Sequence, residues 1–306
     1  MTGTGFDPSR RTALALGAGA ALTLALPLGG GSAYASGPGS EDITARLREL
    51  ELRHSARLGV YAHDVRDGRT LAYRAGERFP MCSVFKTLAV AAVLRDLDHD
   101  GTFLARRIHY TEADVRRAGW SPKTGLAENL AQGMTVAELC DATLRFSDNT
   151  AANLLLSELD GPTTVTRFVR SIGDPTTRLD RWEPELNSAE PGRLTDTTTP
   201  RAIARTYGRL LLGDALPRPD RERLTAWMLG NTTSGERLRK GLPADWALAD
   251  KTGGGWYGTN NDVGVTWPPD GGPVLIAVLT TRSGRDAPVV DPLVAEAGAL
   301  VAAELR

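Results

Sequence analysis

Residues 88–94 read Leu-Ala-Val-Ala-Ala-Val-Leu, apolar on every side of a helix. Such a helix cannot lie on a surface and must be wrapped by other elements. The pattern predicts a buried central helix from Lys86 to Leu97. From Ser83 to about Leu212 the chain keeps a helical pattern, so helices supply the wrapping. Thr135-Val-Ala-Glu138 is a capping box that opens the helix carrying Cys140. Further helices are expected over Thr150–Leu159, Pro200–Leu212 and Arg221–Leu229.

Strand patterns lie on either side of this block. Leu58–Val65 and Thr70–Tyr73 flank Asp67-Gly68, a hairpin signal. Trp246–Asp250, Asp262–Trp267 and Val274–Thr281 follow the helices, with turns expected at Gly253-Gly254-Gly255 and Pro268–Pro273. A helix over Glu41–Ser55 and another opening at Asp291-Pro292, read as N-cap and first turn, close the two ends. Short turns between neighbouring strands imply antiparallel pairing. The expected fold class is α/β in content and α+β in layout: an antiparallel five-stranded sheet flanked by terminal helices, plus an all-helical subdomain. Residues 36–80 and 213–306 would form the sheet subdomain and 81–212 the helical one, within a single domain over 36–306.

Residues 1–35 read as a leader. Ser9-Arg10-Arg11 precedes the apolar run Ala13–Leu28, and Ala33-Tyr34-Ala35 is an A-x-A cleavage pattern. Paired arginines ahead of a modest apolar core point to twin-arginine export. The run is about 16 residues, short of the about 20 a span requires. Export without stable membrane insertion is expected. The net charge is −1 and the cationic residues are interleaved with acids, which argues against a nucleic-acid partner. A monomer acting on small molecules is expected. His54, His63, His99 and His109 are isolated, so no metal site and no cofactor are expected. Cys82 and Cys140 are read as free, buried thiols.

Only four residues are lysine, and two of them fall inside short motifs. Ser83-Val84-Phe85-Lys86 places a hydroxyl and an amine three residues apart at a helix start, on one face. The serine becomes a nucleophile if a neighbour takes its proton. Lysine can do so when burial and a second cation, such as Lys251, lower its pKa. Ser147-Asp148-Asn149 precedes a helix. All three residue types cap helices, but Ser147 can also relay a proton, and Asn149 can hold a substrate amide by donor and acceptor together. Lys251-Thr252-Gly253 ends a strand, with a cation and a hydroxyl to anchor a carboxylate and Gly254 to admit close approach. Glu183 and Asn187 lie four apart in a loop, able to share and activate one water. Arg181 and Asp196 flank that loop as a possible clasp, and Trp182 and Leu186 suggest that it is packed.

Together these motifs resemble those of the class A serine β-lactamases, over essentially all of residues 41–306. Arg-Trp-Glu-Pro-Glu-Leu-Asn at 181–187 is similar to that family's omega loop. Ser-Asp-Asn-Thr-Ala-Ala-Asn-Leu-Leu at 147–155 and Lys-Thr-Gly-Gly-Gly at 251–255 extend the likeness. The resemblance implies hydrolysis of the β-lactam amide of penicillins through an acyl-serine intermediate, giving antibiotic resistance. Ser83 would be acylated, with the Ser83 and Gly254 N–H groups as oxyanion hole. Lys86 and Glu183 are alternative acylation bases. Ser147 would protonate the ring nitrogen, and Glu183 with Asn187 would activate the deacylating water. Lys251, Thr252 and Arg237 would bind the substrate carboxylate, Asn149 its acylamino group, and Trp120 would wall the cleft. Arg237, five residues before Leu242-Pro243, matches the placement in actinobacterial relatives, while Asn260 stands where many others carry arginine. Val90 stands where enterobacterial relatives pair a cysteine with Cys140. Gly255 stands where some carbapenem-hydrolysing relatives pair one with the residue before the serine. A D-alanyl-D-alanine peptidase and a penicillin-sensing module share the serine, lysine and K-T-G elements but lack the Glu183/Asn187 pair.

Overall fold

The computed structural model describes residues 38–306. The expected leader, 1–35, lies outside them. Helix α1 (Pro38–Arg53) leads into strand β1 (Arg57–Asp64), which pairs antiparallel with β2 (Thr70–Tyr73) in the register Val60 to Tyr73. Gly68 takes the left-handed conformation in the connecting turn.

The apolar segment forms α2 (Phe85–Asp96), and every residue from Phe85 to Leu94 is buried. Its five large apolar side chains alone contribute on the order of 10 kcal/mol of gross burial energy. Helices α3 (Val136–Arg145), α4 (Asn149–Glu158), α5 (Pro200–Leu211) and α6 (Arg218–Leu229) follow. The capping box at Thr135 and Glu138 forms as its sequence requires.

Strands β3 (Ala247–Gly255), β4 (Thr259–Trp267) and β5 (Val274–Thr281) complete an antiparallel sheet in the order β2-β1-β5-β4-β3. The last strand therefore pairs with the first, across the whole helical block. Its side chains alternate between two cores. Val274, Ile276 and Val278 join α1 and the final helix α7 (Asp291–Leu305), while Leu275, Ala277 and Leu279 join the helical block. Both faces of the sheet are thus covered, and α5 packs on the face that looks toward α2.

Two expectations need correction. The glycines at 253–255 are not a turn: β3 runs through them, paired with Asn261, Asn260 and Thr259, and the reversal falls at Trp256–Gly258. Glycine marks close approach here, since a Cβ on Gly253 would lie 2.9 Å from Met81 O and one on Gly255 would lie 2.5 Å from Asn187 O. Asp291 is the first residue of α7 rather than its cap, which is Val290.

Candidate active site

Ser83 sits in a 3-10 turn, Cys82–Val84, at the entrance to α2. Three contacts fix that turn. Tyr207 Oη donates to Val84 O at 2.7 Å, Asn261 Nδ2 donates to Pro80 O and Met81 O at 2.9 and 3.1 Å, and Gly253 lets β3 close against the Ser83 N–H. Cys82 takes a left-handed φ of 47°, a strained setting often found beside reacting groups. Ser83 is only 7% exposed, and its hydroxyl donates to Glu183 Oε1 at 3.3 Å.

Lys86 is fully buried. Its Nζ donates to Asn149 Oδ1 at 2.7 Å, Ser147 O at 2.8 Å and Ser147 Oγ at 3.3 Å, and lies 3.1 Å from Glu183 Oε1. Burial lowers its pKa, and the Glu183 charge opposes that shift. Ser83 and Lys86 thus meet through a third group, since both face the same oxygen of Glu183. Ser147 takes a left-handed φ of 56°, and both its carbonyl and its hydroxyl face Lys86. Asp148, in the middle of the motif, serves the backbone instead. It caps α4 through Ala151 N and also accepts from Lys123 N, Thr124 N and Thr124 Oγ1. Asn149 is partly engaged within the protein. Lys86 occupies its acceptor and Ala118 O takes one of its protons at 3.0 Å, leaving one N–H and one lone pair for a ligand.

Glu183 is 1% exposed, and its second oxygen accepts a short hydrogen bond from Asn187 Nδ2. Asn187 Oδ1 is buried with no hydrogen-bond partner in the protein. Arg181 Nε lies 2.5 Å from Asp196 Oδ2, while Asp196 Oδ1 accepts from the N–H groups of Asp180 and Arg181. The same guanidinium reaches Ser188 and Glu190. Leu186 is buried, whereas Trp182 stays 39% exposed, so only the inner side of the loop is packed.

Lys251 is fully buried in β3 and donates to Thr252 O at 2.9 Å. Burial, with Lys86 as the next cause, pulls its pKa well below the ordinary lysine value. Thr252 Oγ1 pairs with Thr233 Oγ1. Gly254 is exposed and open on its Cβ side, unlike Gly253 and Gly255. Arg237 donates to Gly253 O and Asn261 O, and pairs with Asp291 at 2.9 Å. Asn260 Nδ2 reaches the same Asp291 oxygen at 3.0 Å, so the two alternative arginine positions of the resemblance adjoin. Trp120 is 63% exposed, its indole N–H donating to Phe146 O and its carbonyl accepting from Asn149 N. Cys82 and Cys140 are free and buried.

One supporting residue carried a readable signal. Asn153 Oδ1 accepts the Glu183 N–H at 3.0 Å and its Nδ2 donates to Glu183 O at 2.9 Å, clamping that backbone on both sides. It lies four residues after Asn149, on the same face of α4. Asn261, Asn231 and Thr233 act across strands, with no local pattern to announce them.

A serine hydroxyl, a buried ammonium and a carboxylate steadied by an amide can form an ester on the serine and then release it. Known proteins of similar sequence and fold agree with that chemistry. The Beta-lactamase enzyme family matches residues 42–305. A β-lactamase of Streptomyces lavendulae is 66% identical over 305 residues, covering 100% of both chains. One of Streptomyces fradiae is 66% identical over 302 residues, covering 99% of this chain and 98% of that one. The solved β-lactamase from Streptomyces albus G matches with a TM-score of 0.86 at 64% identity, covering 87% of this chain and 100% of that one. The chain belongs to the β-lactamase enzyme family.

Proposed function

We propose that this serine β-lactamase opens the amide of penicillins and related β-lactams through an ester on Ser83, and so confers resistance. The convergence of Ser83 Oγ and Lys86 Nζ on one Glu183 oxygen, while Asn187 holds the other, carries the reading. Glu183 accepts the serine proton as acylation begins, since the hydroxyl already donates to it. Lys86, whose polar neighbours Ser147, Asn149 and Glu183 all present acceptors, acts as the ammonium that stabilises that carboxylate. Ser147, hydrogen-bonded to Lys86, hands a proton to the departing ring nitrogen and recovers one from Lys86, which in turn takes the serine proton from Glu183 and leaves that group a carboxylate again. In the second half Glu183 deprotonates a water that Asn187 Oδ1, a buried acceptor without a protein partner, helps to orient. The N–H groups of Ser83 and Gly254 receive the oxyanion. Lys251, Thr252 and Arg237 bind the substrate carboxylate, Asn149 offers its remaining N–H to the acylamino group, and Trp120 walls the cleft.

The Glu183/Asn187 pair on a clasped loop supports a class A assignment, with residues 181–196 as the omega loop. Its presence disfavours a peptidase or sensor that stays acylated. Twin arginines and an A-x-A pattern support export and cleavage before Ser36. Among the described residues no helix is long and apolar enough to cross a membrane. We take the exported enzyme to be a monomer with no nucleic-acid partner. Incubation of the mature protein with benzylpenicillin and a chromogenic cephalosporin tests the function. Many turnovers are expected, and folded protein that turns over neither compound would sink it.

A further inference from the structure

Behind Thr252, which the mechanism above uses, Thr233, Asn231 and Asp250 form a hydrogen-bonded polar chain that it does not use, with Asp262 beside Asp250. Asp250 and Asp262 sit diagonally across β3 and β4, because Asp250 opposes Gly264 and Thr252 opposes Asp262. Gly264 makes the room, since a Cβ there would lie 2.9 Å from Asp250 Cβ. Both carboxyls are fully buried. Asp262 Oδ2 accepts the Leu238 N–H at 3.2 Å, and Asp262 Oδ1 has no donor in the protein. Asp250 accepts from Arg239 at 3.2 Å and from Asn231 Nδ2 at 2.7 Å. Two adjacent buried carboxyls cannot both ionise. Burial first, then the Asp250 charge, raises Asp262 well above the usual carboxylate range. Burial raises Asp250 too, but Arg239 and Asn231 oppose that shift. Asp250, which faces two side-chain donors, is the acceptor of the pair.

The direction of each proton follows by counting. Asn231 points its NH2 at Asp250, and its Oδ1 accepts the Thr233 N–H at 3.0 Å, so the amide is oriented twice over. That oxygen can only accept. The Thr233 hydroxyl, 2.7 Å away, places its one proton there. At 2.5 Å from Thr252 Oγ1 it then has no proton left and must accept. Thr252 therefore donates to Thr233 and shows lone pairs to the cleft. A carboxylate arriving at Thr252 needs the proton turned the other way.

We infer that Thr233 is a positioning residue that sets the donor direction of Thr252, holding it as an acceptor in the free enzyme and freeing it to donate to a substrate carboxylate. The inference rests on reading Thr252 as a carboxylate-binding hydroxyl. On substrate arrival the Thr233 proton rotates from Asn231 to Thr252, and the Thr252 proton rotates to the carboxylate. Asn231 Oδ1 keeps the Thr233 N–H. No covalent bond changes, and the rotation gives up one neutral hydrogen bond, so the free state resists anionic ligands.

Thr233→Val keeps the branched shape and removes the competing acceptor. The KM for benzylpenicillin should fall about 3- to 10-fold, the equivalent of one neutral hydrogen bond, with kcat within about twofold. The KM for benzylpenicillin methyl ester should not move, and Thr233→Ser should restore the parent value. Thr233→Ala carries the same expectation if the valine variant does not fold. An unchanged or raised KM for benzylpenicillin, or an equal shift for acid and ester, overturns the inference while leaving the enzyme's function intact. An unaltered enzyme that cannot turn over benzylpenicillin would instead remove the reading beneath it.

Discussion

Glu183→Gln separates the two halves of the proposed reaction. The substitution keeps the shape of the side chain. Asn153 holds the Glu183 N–H and carbonyl, so the backbone stays in place. The new amide can keep its oxygen toward Ser83 and Lys86 and turn its NH2 to Asn187. Asn187 can answer by flipping, because its own Oδ1 has no protein partner. The lost functions are the charge and the ability to take a proton. Losing a general base slows a step by about 10²- to 10⁴-fold, equivalent to about 3–5 kcal/mol of barrier. Deacylation has no other carboxylate to turn to, whereas Lys86 can lose its proton and serve as a substitute acylation base. The acyl-enzyme should therefore accumulate, seen by mass spectrometry as the protein plus one intact penicillin.

The same change has a cost in stability. At 3.1 Å the Lys86–Glu183 attraction is worth roughly 5 kcal/mol at an effective dielectric of about 20. Lys86 keeps Asn149 Oδ1 and both Ser147 oxygens as acceptors, and burial already favours its neutral form. The net loss should be about 2–3 kcal/mol, somewhat below the about 3–5 kcal/mol that breaking a buried pair costs. That corresponds to a Tm lower by about 4–12 °C. Benzylpenicillin turnover within about threefold of the parent would refute the role of Glu183 in releasing the acyl group. A folded variant that forms no acyl-enzyme at all would refute the substitution of Lys86.

Other perturbations test the supporting structure. Gly253→Ala would push a methyl to 2.9 Å from Met81 O and 3.2 Å from Ser83 N, displacing the nucleophile's turn, so kcat should fall about 100-fold. Gly254→Ala meets only Thr259 O at 3.7 Å, and steady-state kinetics should find it sterically tolerated. Asp196→Ala strands the N–H groups of Asp180 and Arg181 and leaves the Arg181 guanidinium with Glu190 alone, at about 2–4 kcal/mol; pre-steady-state kinetics should show deacylation slowed more than acylation. Lys251 has a lowered folded pKa, so the unfolded chain binds more protons between that value and about 10.4. Stability should rise with pH across that window, and denaturant titrations should show a weaker rise in Lys251→Met. Cys82 and Cys140 are buried with raised thiol pKa values, so a thiol reagent should label neither in the native protein and both after unfolding.

The parts legible in the sequence are those whose partners are near in the chain. The all-apolar face of α2 announces the helical block, because nothing but a central position suits it. Ser83 and Lys86, or Glu183 and Asn187, are three or four residues apart and so share a face or a turn. The glycines at 253–255 misled for a physical reason. Glycine is as useful for close approach as for turning, and only the neighbouring Cys82 turn and Asn187 carbonyl decide which. Asn231 and Thr233 lie in a polar stretch after α6 that looks like any connection. Their meaning depends on Asp250 and Thr252, 19 residues further on and reachable only once β3 is in place.

The charge balance of the site shows why those long-range contacts matter. Two fully buried lysines, Lys86 and Lys251, lie close enough for Lys86 to lower the pKa of Lys251. The carboxylate of Glu183 answers only Lys86. Lys251 is left to Asp250 and Asp262, which act from behind the strand and whose own pKa values burial raises. The cleft side of Lys251 is therefore under-compensated. A substrate carboxylate supplies the missing charge and favours the ammonium form that binds it. Binding and protonation of Lys251 are thus coupled, so the KM for anionic β-lactams should rise with pH as Lys251 loses its proton, while that for their esters should stay level. The buried acid pair sets how far Lys251 is depressed beforehand, and through Asn231 and Thr233 it also sets which way the adjoining hydroxyl points.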